Sequence, residues 1–129
     1  MSNNDKALRY NEGKKQWTMI DWESMEGLVD ILEFGAKKYS TYRTLDDGSK
    51  ELLISGRDNW KKGLELSSIL DSAQRHLIAM MKGEFTDPES GFLHAHHVMC
   101  NMMFWVHFYN KQSKKISDMP KAESKSVFI

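Results

Sequence analysis

The sequence predicts an all-α protein, a helical bundle completed by oligomerisation. Three observations carry this expectation. Apolar residues recur at helical spacing in two stretches, about 21–40 and 67–82. A third stretch, about 93–109, is apolar on almost every side. The whole chain is 129 residues, enough for one domain with one core that hides roughly two-thirds of the surface its unfolded form exposes.

The elements follow in order. Residues 1–20 are polar with scattered aromatics, and Asn11-Glu12-Gly13 signals a turn, so this stretch reads as a loop or arm that lies on something else. The first helix begins at Asp21, which can cap free backbone N–H groups; Glu23 suits the first turn, and Met25, Leu28, Val29, Leu32 and Ala36 repeat at helical spacing as far as Lys38-Tyr39-Ser40. Residues 41–58 mix the turn formers Asp46-Asp47-Gly48-Ser49 with the apolar run Leu52-Leu53-Ile54, a connection to which no regular structure is assigned. The second helix starts near Ser67 or Ser68, places Ile69, Leu70, Ala73, Leu77, Met80 and Met81 on one face, and stops at Lys82-Gly83. The third, from about Leu93 to Tyr109, carries Val98, Met99, Met102, Met103, Phe104, Trp105, Val106 and Phe108. A helix apolar all round must be covered all round, which three helices of one chain hardly achieve; a second subunit, in a dimer or tetramer, is the expected cover. Beyond Lys111 the composition turns to Lys, Ser and Pro, a polar tail that ends on the apolar Val127-Phe128-Ile129.

Composition narrows the function. The 40% hydrophobic and 28% charged fractions are globular, and no apolar run approaches the ~20 residues of a membrane span, so no membrane partner is expected. The start of the chain has no apolar secretory stretch and Cys100 is the single cysteine, which fits a reducing, cytoplasmic location. Eighteen basic residues balance eighteen acidic ones. That balance argues against a nucleic-acid polymer as partner, but leaves open a small anion held by a few placed cations. Nine methionines read chiefly as adaptable core or interface packing.

Several residues could carry chemistry. At ~100° per residue His94, His97 and Asn101 share one helix face while His96 points elsewhere; two imidazoles one turn apart can share a metal ion, or serve as hydrogen-bonded packing histidines, and both readings stand. Asp71 and Arg75, four apart on helix two with His76 at the apolar edge, are either an exposed helix ion pair or a metal ligand and a phosphate clamp. Glu84, Asp87 and Glu89 precede the histidine helix, where a hard cation would find oxygen ligands. Glu26 and Glu33 share a face of helix one. Three clusters join a cation to an aromatic face or an amide: Arg9-Tyr10-Asn11-Glu12-Gly13-Lys14, Lys37-Lys38-Tyr39 and Arg57-Asp58-Asn59-Trp60-Lys61-Lys62-Gly63. Three such clusters in one small chain point to an anionic, aromatic ligand, a nucleotide. Residues 1–112 then form a single all-helical nucleotide-handling domain and 113–129 its polar tail.

Arg9-Tyr10-Asn11-x-Gly13-Lys14, Phe34-Gly35-Ala36-x-Lys38-Tyr39, Asn59-Trp60-x-x-Gly63, Arg75-His76-Leu77, Gly83-Glu84, Asp87-x-x-Ser90-Gly91 and His94-x-x-His97-x-x-x-Asn101 follow one another along the chain. As an ordered set, over roughly residues 9–108, they resemble the phage dATP/dGTP diphosphohydrolase family of the N-terminal-domain type. The resemblance implies metal-dependent cleavage of a purine (deoxy)nucleoside triphosphate to monophosphate and pyrophosphate, in the cytoplasm of an infected host cell. It also implies a layout similar to the MazG-like all-α pyrophosphatases, which hold Mg²⁺ with Glu-x-x-Glu and Glu-x-x-Asp on two helices. Here His94-x-x-His97 stands in place of the second pair, and Asp71 with Arg75-His76 stands where the first would be. The cofactor implied is a divalent metal, Mg or Mn, with a transition metal favoured by the histidines. On this reading Asp71, Glu84, His94 and His97 hold the metal, with Glu26 as a further candidate. Asp71, Arg75 and His76 do the chemistry, and Arg9, Asn11, Lys14, Lys38, Tyr39, Asn59, Trp60 and Arg75 bind substrate. The alternative function is a non-hydrolytic sponge that sequesters a host immune signalling nucleotide. The 41–56 segment is longer than the family's usual link between Tyr39 and Asn59 and would reshape the pocket mouth.

Overall fold

The computed structural model describes residues 6–116, with side chains through residue 112. The expected helices are present: α1 (Trp22–Lys38), α2 (Leu66–Met81) and α3 (His94–Ile116). Asp21 sits at the N-cap of α1, but its carboxylate accepts from the Ser24 hydroxyl and not from a backbone N–H. Lys37 and Lys38 close the same helix, where cations suit the exposed carbonyls. Helix α3 continues past Tyr109 and across the expected start of the tail to Ile116. Val127-Phe128-Ile129 lie outside the described residues.

The all-α expectation fails between α1 and α2. Residues assigned no regular structure form an antiparallel hairpin, β1 (Thr41–Thr44) with β2 (Lys50–Ile54). The physical reason is visible in the sequence. Thr41-Tyr42-Arg43-Thr44 and Leu52-Leu53-Ile54 are β-branched, aromatic or bulky residues on either side of a turn. That turn is closed by Gly48 N–H donating to Leu45 O at 2.9 Å, with Gly48 at φ 85 and Asp47 Oδ1 accepting from Ser49 N–H at 2.9 Å. Tyr42 lies opposite Leu52, and Arg43, paired to Glu51 by an ion pair, lies on the next rung. Apolar periodicity marks helices and carries no signal for short runs of strand formers such as these. Both strands are exposed along their whole length.

α3 is the central element, packed on α2 along one seam and on α1 along another. Leu28 and Ile31 of α1 meet Cys100 of α3, with Met25, Leu32, Phe92, Met99 and Phe104 around them. The α1–α3 crossing is close because Gly27 has no side chain: a Cβ there would fall 2.1 Å from His96 Nδ1. His96 uses the space to donate from Nε2 to Ser24 O at 2.8 Å. On α2 the buried face is Ile69 and Ala73, whereas Leu70, Leu77 and Met81, expected on that same face, are exposed. The phase of α2 is set by the pair that meets α3. Among the described residues the buried apolar set is only five side chains, Leu28, Ile31, Ile69, Ala73 and Cys100, while Leu8, Tyr10, Trp17, Met19 and Trp22 near the N-terminus are largely exposed.

Candidate functional site

The loop from Glu84 to Leu93 shapes the site. Glu84 N–H donates to Ala79 O at 2.9 Å, Asp87 N–H to Phe92 O and Gly91 N–H to Asp87 O at 2.8 Å, and His94 N–H to Phe85 O at 2.9 Å. Pro88 fixes φ at the corner of this turn. The loop thus folds back on itself and delivers Asp87 and Ser90 to the start of α3.

There Ser90 Oγ donates to Asp87 Oδ2 at 2.8 Å and lies 2.7 Å from His97 Nε2. A hydroxyl has one proton to give; with it on the carboxylate, His97 Nε2–H donates to Ser90 Oγ, which assigns that tautomer. This is not a nucleophile triad, because Asp87 faces the same ring nitrogen as the serine, at 3.4 Å. Asp87 is buried enough for desolvation to push its pKa upward, yet the hydrogen bonds from Ser90 and the neighbouring imidazoles hold it below the ordinary carboxylate value. His76 stacks on His97, ring planes 3° apart and centroids at 4.3 Å. Desolvation first, then mutual repulsion with the other imidazoles, lowers the His76 pKa, and desolvation lowers that of His97, which biases both rings toward the neutral form.

His94, 4% exposed, brings Nδ1 to within 2.8 Å of His76 Nδ1. Its Nε2 is buried without a hydrogen-bond partner among the described residues, and Glu84 Oε2 stands 3.8 Å away, beyond hydrogen-bond reach. One donor atom each from His76, Asp87 and His94 lie within 4.8 Å of one another. Two imidazoles and a carboxylate fit a divalent cation, and this N,N,O set suits Mn²⁺ or Zn²⁺ better than Mg²⁺. An orphaned buried nitrogen beside them supports the fit, since such a group is costly unless something meets it.

The cluster forms one part of the wall of a cavity of about 820 Å³, lined also by Lys38, Tyr39, Arg57, Asn59, Trp60, Arg75, Asn101 and Phe104. Trp60 stacks on Phe104 with centroids at 4.5 Å. Lys38 bonds Glu89 at 3.0 Å, which raises its pKa. The rim is fastened where the hairpin leaves: Ser40 Oγ donates to Ala36 O at 2.6 Å and accepts from Gly56 N–H at 2.8 Å.

The structure therefore brings Lys38, Tyr39, Asn59, Trp60, Arg75, His76, His94 and His97 around one cavity. It does not bring Arg9, Asn11 or Lys14, which sit exposed on the N-terminal arm, nor Glu26 or Asp71. Asp71 is rotated ~100° from Ser72, which does line the cavity, and is exposed. Glu84 approaches His94 from an exposed position. Phe104 was legible in the sequence only as helix packing; Arg57 stood in a cation–aromatic cluster, and Asp87 and Ser90 in the Asp87-x-x-Ser90-Gly91 motif, but none of these three was assigned as a substrate or metal contact. The Asp87-Pro88-Glu89-Ser90-Gly91 turn next to a histidine helix was the available signal.

This is a helical scaffold with a two-stranded insertion, and one cavity in it joins a His/Asp/His donor set, guanidinium groups and an aromatic pair, an arrangement with the chemistry to suit a small charged ligand. A family model described as dATP/dGTP diphosphohydrolase, N-terminal, matches residues 4–119, and the chain belongs to that family. It is similar, at 29% identity over 98 residues, to the dATP/dGTP diphosphohydrolase of Salmonella phage PMBT28. The match covers 76% of this chain but only 28% of that protein, so the chain spans little more than a quarter of its relative's length. No solved structure matches. Among the described residues no helix is long and apolar enough to cross a membrane.

Proposed function

We propose that the cavity binds a purine deoxynucleoside triphosphate and that the protein cleaves it to the monophosphate and pyrophosphate with the help of a divalent metal. The observation that carries this reading is the joining, in one cavity, of the His76–Asp87–His94 donor group with Arg75, Arg57, Lys38 and the Trp60–Phe104 pair. His76, Asp87 and His94 would hold the cation, which when bound supplies Lewis acidity toward the phosphates. Arg75 and Arg57 bind phosphate oxygens with their planar forks, and Lys38 does so when the ligand displaces its Glu89 partner. The imidazole of His97, which with its proton on Nε2 leaves Nδ1 to accept one, is the base the cavity offers for the proton of an attacking water. In that step water adds to the α-phosphorus and the α–β bridging P–O bond breaks.

Self-association belongs to the same reading. Among the described residues five buried apolar side chains make a thin core, and exposed apolar side chains on α2 (Leu70, Leu77, Met81) and near the N-terminus (Tyr10, Trp17, Trp22) are what a second copy would cover, in a dimer or tetramer.

One observation favours a second reading, binding without cleavage. The relative that carries the activity in its name is more than three times as long as the matched stretch, so its hydrolysis can reside in the remainder. The same cavity would then sequester a nucleotide. Purified protein incubated with a nucleotide panel, with Mn²⁺, Mg²⁺ or Zn²⁺ and with chelator, separates the two by mass spectrometry. Metal-dependent release of monophosphate and pyrophosphate supports cleavage; stoichiometric ligand recovered intact after denaturation supports sequestration.

A further inference from the structure

We infer that Asn101 determines base specificity by accepting a hydrogen bond from an exocyclic amino group of a purine; the inference rests on the nucleotide reading of the cavity. The side-chain amide of Asn101 is fixed by both its protons. Nδ2 donates to His97 O at 3.0 Å, one turn back on α3, and to Ser72 Oγ on α2 at 3.1 Å. An amide has two N–H donors and one carbonyl acceptor. With both donors committed, Oδ1 is what Asn101 has to offer, and it accepts no hydrogen bond from any described residue. Nor is it among the buried atoms left unsatisfied, so it stays accessible where Asn101 lines the cavity. The orientation of the amide follows from this network, because a flipped amide would set its oxygen against the His97 carbonyl.

Position along α3 says which part of a nucleotide meets that oxygen. His94, His97, Asn101 and Phe104 all line the cavity, spaced three, four and three residues apart, one stripe of a helix. At 1.5 Å per residue the stripe runs roughly 15 Å, the length scale of an extended nucleoside triphosphate. Its first end holds the imidazoles, the Asp87 carboxylate and the helix N-terminus, whose partial positive charge suits phosphate. Its far end holds Phe104 stacked on Trp60, the apolar end suited to a base. Asn101 stands between them, nearer the aromatic end, as an acceptor without a proton of its own to give. Adenine and guanine each carry an exocyclic amine; hypoxanthine carries none and sets a carbonyl at position 6. The two amines lie on different atoms, position 6 in adenine and position 2 in guanine, so a single acceptor at this place favours one of the two aminopurines over hypoxanthine.

The test is equilibrium binding, by calorimetry with Mn²⁺ present, of the α,β-methylene analogues of dATP, dGTP and dITP. The wild-type protein should bind at least one of the two aminopurine analogues about 3–10-fold more tightly than the dITP analogue, the range set by one net hydrogen bond. Asn101→Ala should bring the three to within about 2-fold of each other while keeping the dITP affinity, because the phosphate and metal contacts are untouched. Asn101→Leu, which keeps the side-chain volume and removes the acceptor, should likewise lose the preference, and it carries the test should the alanine variant melt below the working temperature by circular dichroism. Tight binding with no preference in the wild type, or a preference that survives in Asn101→Ala, overturns the role of Asn101 and leaves the nucleotide reading standing. Failure of the wild type to bind any of the three overturns both.

Discussion

The α2–α3 seam and the β1–β2 hairpin are close neighbours in the chain and opposites in construction. At the seam polar side chains are tied to one another: Asp87 to Ser90, Ser90 to His97, His76 to His94, Asn101 to Ser72. In the hairpin the apolar side chains Tyr42, Leu52, Leu53 and Ile54 face outward, and the fold is held by its turn, its ladder and one exposed ion pair. A two-stranded hairpin alone is marginal in water, whereas the side chains of the seam hold one another through hydrogen bonds in a shielded pocket, with His94 Nε2 left as the one member a ligand would complete. Chemistry that needs fixed geometry is therefore confined to one of the two. Groups held to a fixed geometry lie at the seam, and the hairpin is a surface awaiting contact whose roots happen to form the cavity rim.

The largest effect should come from the seam. His94→Ala removes the buried imidazole with the orphaned Nε2, and metal-dependent turnover should fall at least about 100-fold, since even an outer-shell partner of a metal site can cost that much. Helical circular dichroism should stay near the wild-type signal. A variant that turns over normally would make His94 a packing residue.

Next comes the root of the hairpin. A Cβ on Gly56 would lie 2.3 Å from Ala36 O and 2.5 Å from the Tyr39 carbonyl carbon, backbone atoms that cannot swing aside. Gly56→Ala should cost about 3 kcal/mol, the upper end for overpacking, and should loosen nucleotide binding by displacing the rim; chemical denaturation measures the first and calorimetry the second. Gly27→Ala should cost less, about 1–2 kcal/mol. Its clash is with the His96 ring, which can move at the loss of its bond to Ser24 O, and alanine regains up to ~1 kcal/mol of helix propensity.

Acidification should separate the two regions without mutation. His76 and His97 have folded pKa values below the ordinary imidazole value of 6.5, so between those values the unfolded chain binds more protons than the folded one. Stability contributed by their neutral forms is fully present above pH 6.5 and is lost as pH falls toward the folded pKa values. Asp87, with a lowered pKa, begins to lose its share only below the ordinary carboxylate value of 3.8. Melting temperature should therefore drop between pH 7.5 and 5, and His76→Gln with His97→Gln should flatten that drop. The smallest effect belongs to the hairpin face. Leu52→Ser should change the stability of the isolated protomer by less than about 0.5 kcal/mol. A larger loss that depends on protein concentration would show that this face is covered in an oligomer.

The helices were legible because a 3.6-residue period survives in Leu28, Ile31, Ile69 and Ala73. Lys38, Tyr39, Asn59, Trp60 and Arg75 were legible as site candidates because a cation beside an aromatic or an amide is uncommon as plain surface. Spacing fixes only relative angles, however. Asp71 and Arg75 share a face by arithmetic, but the phase of α2 against α3 is set by Ile69 and Ala73, which leaves Asp71 outside. The hairpin hid because a short strand pair has no long period and its apolar residues are not buried. The bond between Ser90 and His97 joins residues seven apart through a folded loop, a contact no periodicity encodes. Asp87 was legible as a motif position beside Ser90 and as one of three loop carboxylates, but only the closed loop places it, and not Glu84 or Glu89, with His76 and His94.

The central claim is that the His76–Asp87–His94 group holds a divalent cation at the phosphate end of a nucleotide cavity. Crystals grown with Mn²⁺ and the α,β-methylene analogue of dATP test it most directly, because anomalous scattering locates the metal independently of any assay. One peak is expected within about 2.0–2.3 Å of a His76 nitrogen, a His94 nitrogen and an Asp87 oxygen, with phosphate oxygens completing the coordination and the base directed toward Trp60 and Phe104. An ordered nucleotide in the cavity with no metal on these three residues, or a metal bound elsewhere, would contradict it.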